Sequence, residues 1–302
     1  MKLPTKSEYE RREQERRLKE LSFSGLPYLE RADQLKEQKF PLFFYKYHSL
    51  HLNNPENPNE KWEHARDYLI NSQFYLSAAK NFNDPFDMKA DVTDNIPKEK
   101  KRYFLEKTIE RMQPHLTLEQ RVLEIKRILD DPRGLPLILK FALEEAVELF
   151  GVSCLSTDPC NILMWSHYAN HHRGIIFQFN YAKDIKSFQW LQPVSYSNKY
   201  PVLEFFDRQI SNRFSVALLR KHCGWAYEKE WRFVKPEGAG TYQSFDPKIL
   251  TGVILGCRID SEAEDRVRAM IDEREKLKPP NRIKLYRVRQ HEARYRLVLS
   301  KS

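Results

Sequence analysis

Three features of the sequence predict an α+β fold, with mixed and mainly antiparallel sheets and a helical layer inserted into them. Short apolar and aromatic runs of strand length lie at 41–47, 152–155 and 174–179, and again at 231–235, 253–255, 283–288 and 295–299. Between them, 97–150 changes to helical periodicity. The 302 residues are 41% hydrophobic and 13% aromatic, which supplies a core of domain size and argues against disorder throughout.

In chain order, residues 1–39 form a charged helical extension in which 8–21 are mostly Glu, Arg and Lys with little apolar face. A single α+β domain is expected over 40–302, with the helical insertion at about 97–150. Its first strand is aromatic and ends at Tyr47, and the Asn- and Pro-rich stretch 53–59 is a loop. A helix over 62–70 and a brief strand over 74–77 precede Asn81-Phe82-Asn83-Asp84-Pro85-Phe86-Asp87, an ordered turn because Asx side chains bond their own backbone and Pro fixes φ. In the insertion, Thr117 and Gln120 have capping-box spacing, and Asp131-Pro132-Arg133-Gly134 breaks the run. After 152–155 come a helix over 160–169, the strand 174–179, a strand near Val194 and a long helix over 203–221. Ser261 and Glu264 are spaced to cap one more helix.

The net charge of +9 comes from Lys and Arg mixed with Asp and Glu, which favours encounter with polyanions without marking a nucleic-acid-binding tail. No apolar run approaches the roughly 20 residues that cross a bilayer, and the first 20 residues lack a signal peptide's apolar centre, so no membrane partner is expected. Cys154, Cys160, Cys223 and Cys257 form no Cys-x-x-Cys pair. Free thiols in a reducing cytoplasm are the expectation.

Four groups of residues can carry chemistry. In Tyr45-Lys46-Tyr47-His48, strand alternation puts Lys46 and His48 on one face and both Tyr on the other, which also suits a wet edge strand. The strand 152–155 ends in Ser156, Thr157 and Asp158, whose hydroxyls can cap the next helix or face a ligand. In that helix His167 and His171 share a face, but zinc needs a further ligand and the His-Glu-x-x-His arrangement is missing, so no metal is expected there. Trp165 and Tyr168 then pack inward. In Trp225-Ala226-Tyr227-Glu228-Lys229-Glu230-Trp231-Arg232, an extended chain would point Glu228, Glu230 and Arg232 one way and Tyr227, Lys229 and Trp231 the other. Two carboxylates side by side raise one pKa while Arg232 opposes the shift, giving either an acid-base site or a ladder of surface ion pairs.

Tyr45-Lys46-Tyr47, Asn81 through Asp87, Met164-Trp165-Ser166-His167-Tyr168-Ala169 and Trp225 through Arg232 together resemble a widespread bacterial family catalogued as a domain of unknown function. In that family Arg is more usual at the place of His48. The order of groups also resembles the ADP-ribosyltransferase fold, whose pattern is a strand bearing Arg or His, a strand ending in Ser-Thr and a later Glu-x-Glu strand. The resemblance implies NAD as substrate, with Glu230 stabilising positive charge on the ribose and Glu228 orienting or deprotonating the acceptor. It further implies that His48 and Tyr47 belong to the dinucleotide site, that Ser156 and Thr157 shape the nicotinamide side, and that Trp165 or Tyr168 offers a stacking surface. The acceptor would be a protein, a nucleic acid or water, and the helices of 97–150 are candidates for selecting it. Two other readings compete. In one, Asp84, Asp87, Glu228 and Glu230 hold Mg²⁺ in a nuclease. In the other, the aromatic motifs, with Asn83, Trp225 and Tyr227 among them, build a pocket or partner surface without catalysis.

Overall fold

The computed structural model describes residues 40–50, 60–93, 97–204, 214, 216–277 and 282–301. The charged extension expected at 1–39 and the loop expected at 53–59 lie outside them.

An eight-stranded mixed sheet organises the molecule. Its strands are β1 (Phe43–His48), β4 (Gly151–Ser156), β5 (Ile175–Asn180), β6 (Leu191–Pro193), β10 (Glu230–Lys235), β12 (Leu250–Leu255), β13 (Lys284–Gln290) and β14 (Leu297–Lys301). Their spatial order is β14-β13-β12-β5-β1-β4-β10-β6. All neighbours are antiparallel except β12 and β13, which run parallel because helix α6 (Ser261–Leu277) carries the chain between them. Three two-stranded pieces flank the sheet, joining β2 (Gln73–Leu76) to β11 (Thr241–Ser244), β3 (Asp91–Thr93) to β8 (Val202–Glu204), and β7 (Ser195–Ser197) to β9 (Arg220–His222).

Strand alternation gives the sheet two apolar faces. On one, Phe44, Leu155, Phe177, Phe179 and Phe233 pack against Tyr68 and Leu69, which follow helix α1 (Glu60–Arg66), and against Val267 and Ile271 of α6. On the other, Tyr45, Tyr47, Ile176 and Ile254 bury Met164 and Trp165 of helix α5 (Ile162–Tyr168). Further along that face, Val152 and Val234 meet Leu143 and Val147. The insertion forms as three helices, α2 (Lys98–Met112), α3 (Leu118–Asp130) and α4 (Gly134–Glu148). Leu135, Leu139, Leu143 and Val147 recur every fourth residue along α4, so that one stripe serves the helical layer and then the sheet.

Two expectations fail for identifiable reasons. Within 203–221, residues 214 and 216–218 are helical as expected and 205–213 and 215 lie outside the described residues, while the two ends are strand, at Val202–Glu204 and Arg220–His222. Pairing of β9 with β7 satisfies the backbone there in place of helix bonds, a tertiary override of local propensity. The cap of α6 is Asp260, whose Oδ1 accepts from the Ala263 N–H at 2.8 Å, while Ser261 lies inside the helix.

Candidate functional site

The site starts where β4 and β10 end side by side, with Ser156 directly opposite Glu230 and Cys154 opposite Arg232. Glu230 and Arg232 therefore share the second face of the sheet. Glu228 arrives differently from the extended run expected. Cys223–Glu228 is a 3-10 turn capped by His222, and Lys229 takes a left-handed conformation (φ 47°) before β10 begins. This reversal brings Glu228 to Glu230, and it sends Lys229 outward to Asp158 at 2.9 Å. The expected alternation of 227–232 is thus corrected, though its consequence, two adjacent carboxylates beside Arg232, stands.

The turn 81–87 and strand β9 complete the cluster. Asp87 Oδ2 accepts from Arg232 Nη2 at 2.5 Å, and the other Asp87 oxygen takes the Met88 N–H at 2.8 Å. Arg232 also donates to Glu230 Oε1 at 2.9 Å and to the Leu218 carbonyl at 2.7 Å. Lys221 Nζ lies 2.5 Å from Glu228 Oε2, 3.1 Å from Glu230 Oε2 and 3.7 Å from Asp87 Oδ2. Tyr168 donates to Glu228 Oε1 at 2.7 Å. All five charged groups are buried. Lys221 stands just ahead of the Trp225–Arg232 group in the sequence but gains no part in it from sequence reasoning, because a helix over 203–221 gives it no reason to face Glu228.

Of the carboxylates facing the two cations in this buried space, Glu228 and Glu230 are shifted in opposite directions. Burial raises the Glu228 carboxyl, with the neighbouring Glu230 adding to it and Lys221 opposing. Burial would also raise Glu230, but Arg232 and Lys221 reverse that and hold it well below the usual carboxylate range. Burial disfavours the charged Lys221, and the Glu230 and Glu228 carboxylates outweigh that and raise its pKa. The result is one carboxylate held as an anion beside another whose pKa is raised.

The remaining expected residues fall into distinct places. Ser156 donates to the Glu228 carbonyl at 2.6 Å and accepts from the Asp158 N–H at 3.1 Å, so its hydroxyl straps the end of β4 to the turn that carries Glu228. Thr157 adds a backbone bond to the Lys229 carbonyl at 3.4 Å, and Asn161 Nδ2 reaches the Tyr227 carbonyl at 3.0 Å. Tyr47 is on the same face but is buried, donating to the Asp158 carbonyl at 2.7 Å. Trp165 is wholly buried, with its indole N–H on the Pro159 carbonyl, and offers no open stacking surface. His48 lies on the opposite face, against Tyr68 and Phe177, and its Nε2 is 2.8 Å from the Lys61 carbonyl. Burial lowers its pKa to about 3, so it is a neutral core residue apart from the carboxylates. His167 and His171 do not share a helical face, because α5 stops at Tyr168 and residues 170–172 all have positive φ.

The oxygen set expected of a nuclease is not assembled either. Asp84 Oδ1 takes the N–H of Phe86 within its own turn, and Asp87, Glu228 and Glu230 converge on Lys221 and Arg232. Among the described residues no group of three or more His, Cys, Asp or Glu is arranged to hold a metal ion.

A cleft of about 570 Å³ opens above Lys221. Its walls come from Asn83, Asp84, Pro85, Phe86 and Lys89, from 197–200 after β7, and from Arg220, His222 and Trp225. Lys221 Nζ is 5.0 Å from the centre of the Trp225 ring. Lys221 thus belongs both to the buried cluster and to the wall of the cleft. Among the described residues no helix is long and apolar enough to cross a membrane.

Residues 164–233 match the model of a family described as a protein of unknown function (DUF2971). No curated protein and no solved structure matches the chain. The chain is therefore similar to an uncharacterised family over the span that contains most of α5, the turn with Glu228, and most of β10, while Tyr45 to Tyr47 and Asn81 to Asp87 lie outside it.

Proposed function

We propose that the cleft binds NAD and that the chain cleaves its nicotinamide glycosidic bond, passing ADP-ribose to a protein or nucleic-acid acceptor or to water. The observation that carries this reading is the split pair of buried carboxylates joined through Lys221 to a cleft whose volume and aromatic, cationic lining suit a dinucleotide. In the reaction the C1′–N bond breaks with its electron pair leaving on nicotinamide, and positive charge develops on the ribose. Glu230, held as an anion by Arg232 and Lys221, provides a fixed negative field for that charge. Glu228, with its raised pKa, takes the proton of the attacking hydroxyl, amine or water as the new bond to C1′ forms. The net charge of +9 favours a polyanionic acceptor.

The test is incubation of the whole chain with NAD and measurement of free nicotinamide by mass spectrometry. Release is expected, and Glu228→Gln should reduce it about 100-fold or more with an unchanged far-UV circular dichroism spectrum. Tyr168→Phe, which keeps every charge, should reduce it less. Undiminished release in Glu228→Gln removes that residue from the mechanism.

A specific observation favours a second reading, that of a nucleotide sensor without turnover. Every carboxylate oxygen of Glu228 and Glu230 is already engaged by Tyr168, Lys221 or Arg232. Binding of NAD with no nicotinamide released would decide for the sensor.

A further inference from the structure

Cations line the cleft unequally in what they have to bind. Lys89 is paired with Glu144 at 3.0 Å, and Lys221 is held by Glu228 and Glu230. Arg220 and Lys199 have no carboxylate partner among the described residues, and the Nε of Arg220 is buried without any hydrogen-bond acceptor. Burial lowers the Arg220 pKa with no acidic group to offset it. Proteins rarely leave a buried guanidinium nitrogen unmatched, and the acceptor that suits a guanidinium fork best is a carboxylate or a phosphate.

The surroundings favour phosphate on an aromatic carrier. His222 lies on the same side of β9 as Arg220, two residues on, and its Nδ1 accepts from the Gly224 N–H at 3.1 Å. That bond leaves the ring's own hydrogen on Nε2, as a further donor to an anion. Phe86 is 67% exposed and Tyr200 43% exposed, and with Trp225 they give the cleft an aromatic wall beside its cations. Large aromatics left open in a concave site are stacking surfaces.

We propose that Arg220 and Lys199 form a phosphate-recognition site in this cleft, holding the phosphates of a nucleotide whose base stacks on the wall of Phe86, Tyr200 and Trp225. The choice of a nucleotide rests on the NAD reading, whereas the demand for an anion rests on the cleft itself. Neither residue touches the reacting carbons in this arrangement, so both are binding residues.

Isothermal titration calorimetry of the whole chain with ADP, adenosine and inorganic phosphate tests it. ADP should bind at least about 10-fold more tightly than adenosine or phosphate alone, and the margin over adenosine should shrink as salt is added. Arg220→Gln should weaken ADP about 10-fold or more while leaving adenosine unchanged, and Arg220→Lys should recover part of the loss. Because Arg220 has no carboxylate partner among the described residues, Arg220→Gln should not lower the melting temperature, whereas a structural arginine would. The exposed Lys199→Gln offers a second variant that does not burden the fold, and it should weaken ADP several-fold. Equal affinities for ADP and adenosine, or ADP binding indifferent to both substitutions, overturn the proposal. Arg220-dependent ADP binding with NAD left intact would sink the transferase reading and keep the phosphate site. Nicotinamide release with ADP binding blind to Arg220 and Lys199 would do the reverse.

Discussion

Lys221 stands 2.5 Å from Glu228 and 3.1 Å from Glu230, so its ammonium is what lets two buried carboxylates sit side by side. Replacing it with Met leaves Glu228 without a cation and Glu230 with Arg232 alone, and urea unfolding at pH 7 should show a loss of about 3–5 kcal/mol. The deficit should shrink in mild acid as Glu228 takes up a proton, and a loss below about 1 kcal/mol would mean that the cluster is not held as described. Glu230 acts in the opposite sense. Its folded pKa is depressed, so its contribution is fully present above the unfolded value of about 4.3 and is lost as the pH falls through the folded one. His48 adds to acid lability from the other face of the sheet. It stays neutral in the fold down to about pH 3, while the unfolded chain gains that proton below about pH 6.5, so stability falls with acid by up to about 1.4 kcal/mol per pH unit. His48→Leu should flatten the stability profile between about pH 6.5 and pH 4, and an unchanged slope would show that His48 titrates normally. As a residue type His48 invited a ligand role, because alternation fixes which face a side chain takes but not whether that face is covered. Tyr68, from outside its strand, covers it.

At the scale of elements, local chemistry was legible wherever neighbours in sequence satisfy one another. Thr117 and Gln120 form the capping box that their spacing predicts, with the Thr117 side chain accepting from the Gln120 N–H at 3.3 Å and its own N–H meeting the Gln120 side chain at 2.9 Å. The cap of α6 shows how close such readings come and where they slip, since Asp260 and Ser261 are both good capping residues and only the backbone distinguishes them. Asp260→Ala should cost about 1 kcal/mol in thermal or urea unfolding and Ser261→Ala less than about 0.5 kcal/mol, and the reverse order would return the cap to Ser261. Elements whose pairing is remote were not legible. Arg220–His222 becomes a strand through β7, 25 residues earlier, and Lys229 adopts a left-handed conformation with no Gly or Asn to announce it. Those two features place Lys221 and Glu228, which is why the partner of the carboxylates was not visible in the sequence while the carboxylates themselves were.

Across the whole molecule, the sheet gathers what the chain separates. Ser156 and Glu230 meet because β4 and β10 are neighbours, the turns at 81–87 and 223–228 bring Asp87 and Glu228 to them, and the resemblance to an uncharacterised family, matched over 164–233, spans only the later part of that assembly. Asn83, Asp84 and Trp225 stood out in the sequence as motif residues with no part in the transferase reading, and all three line the cleft. Lys199 and Tyr200 drew no notice, because a cleft wall has no periodicity of its own. The most direct measurement is a crystal structure with an NAD analogue whose nicotinamide ribose oxygen is replaced by carbon, so that the glycosidic bond survives. The analogue should lie in the cleft with its pyrophosphate bonded to Arg220 and its nicotinamide ribose over Lys221 and Glu228. An analogue bound elsewhere, or with its phosphates away from Arg220 and its ribose away from the carboxylates, would contradict the account.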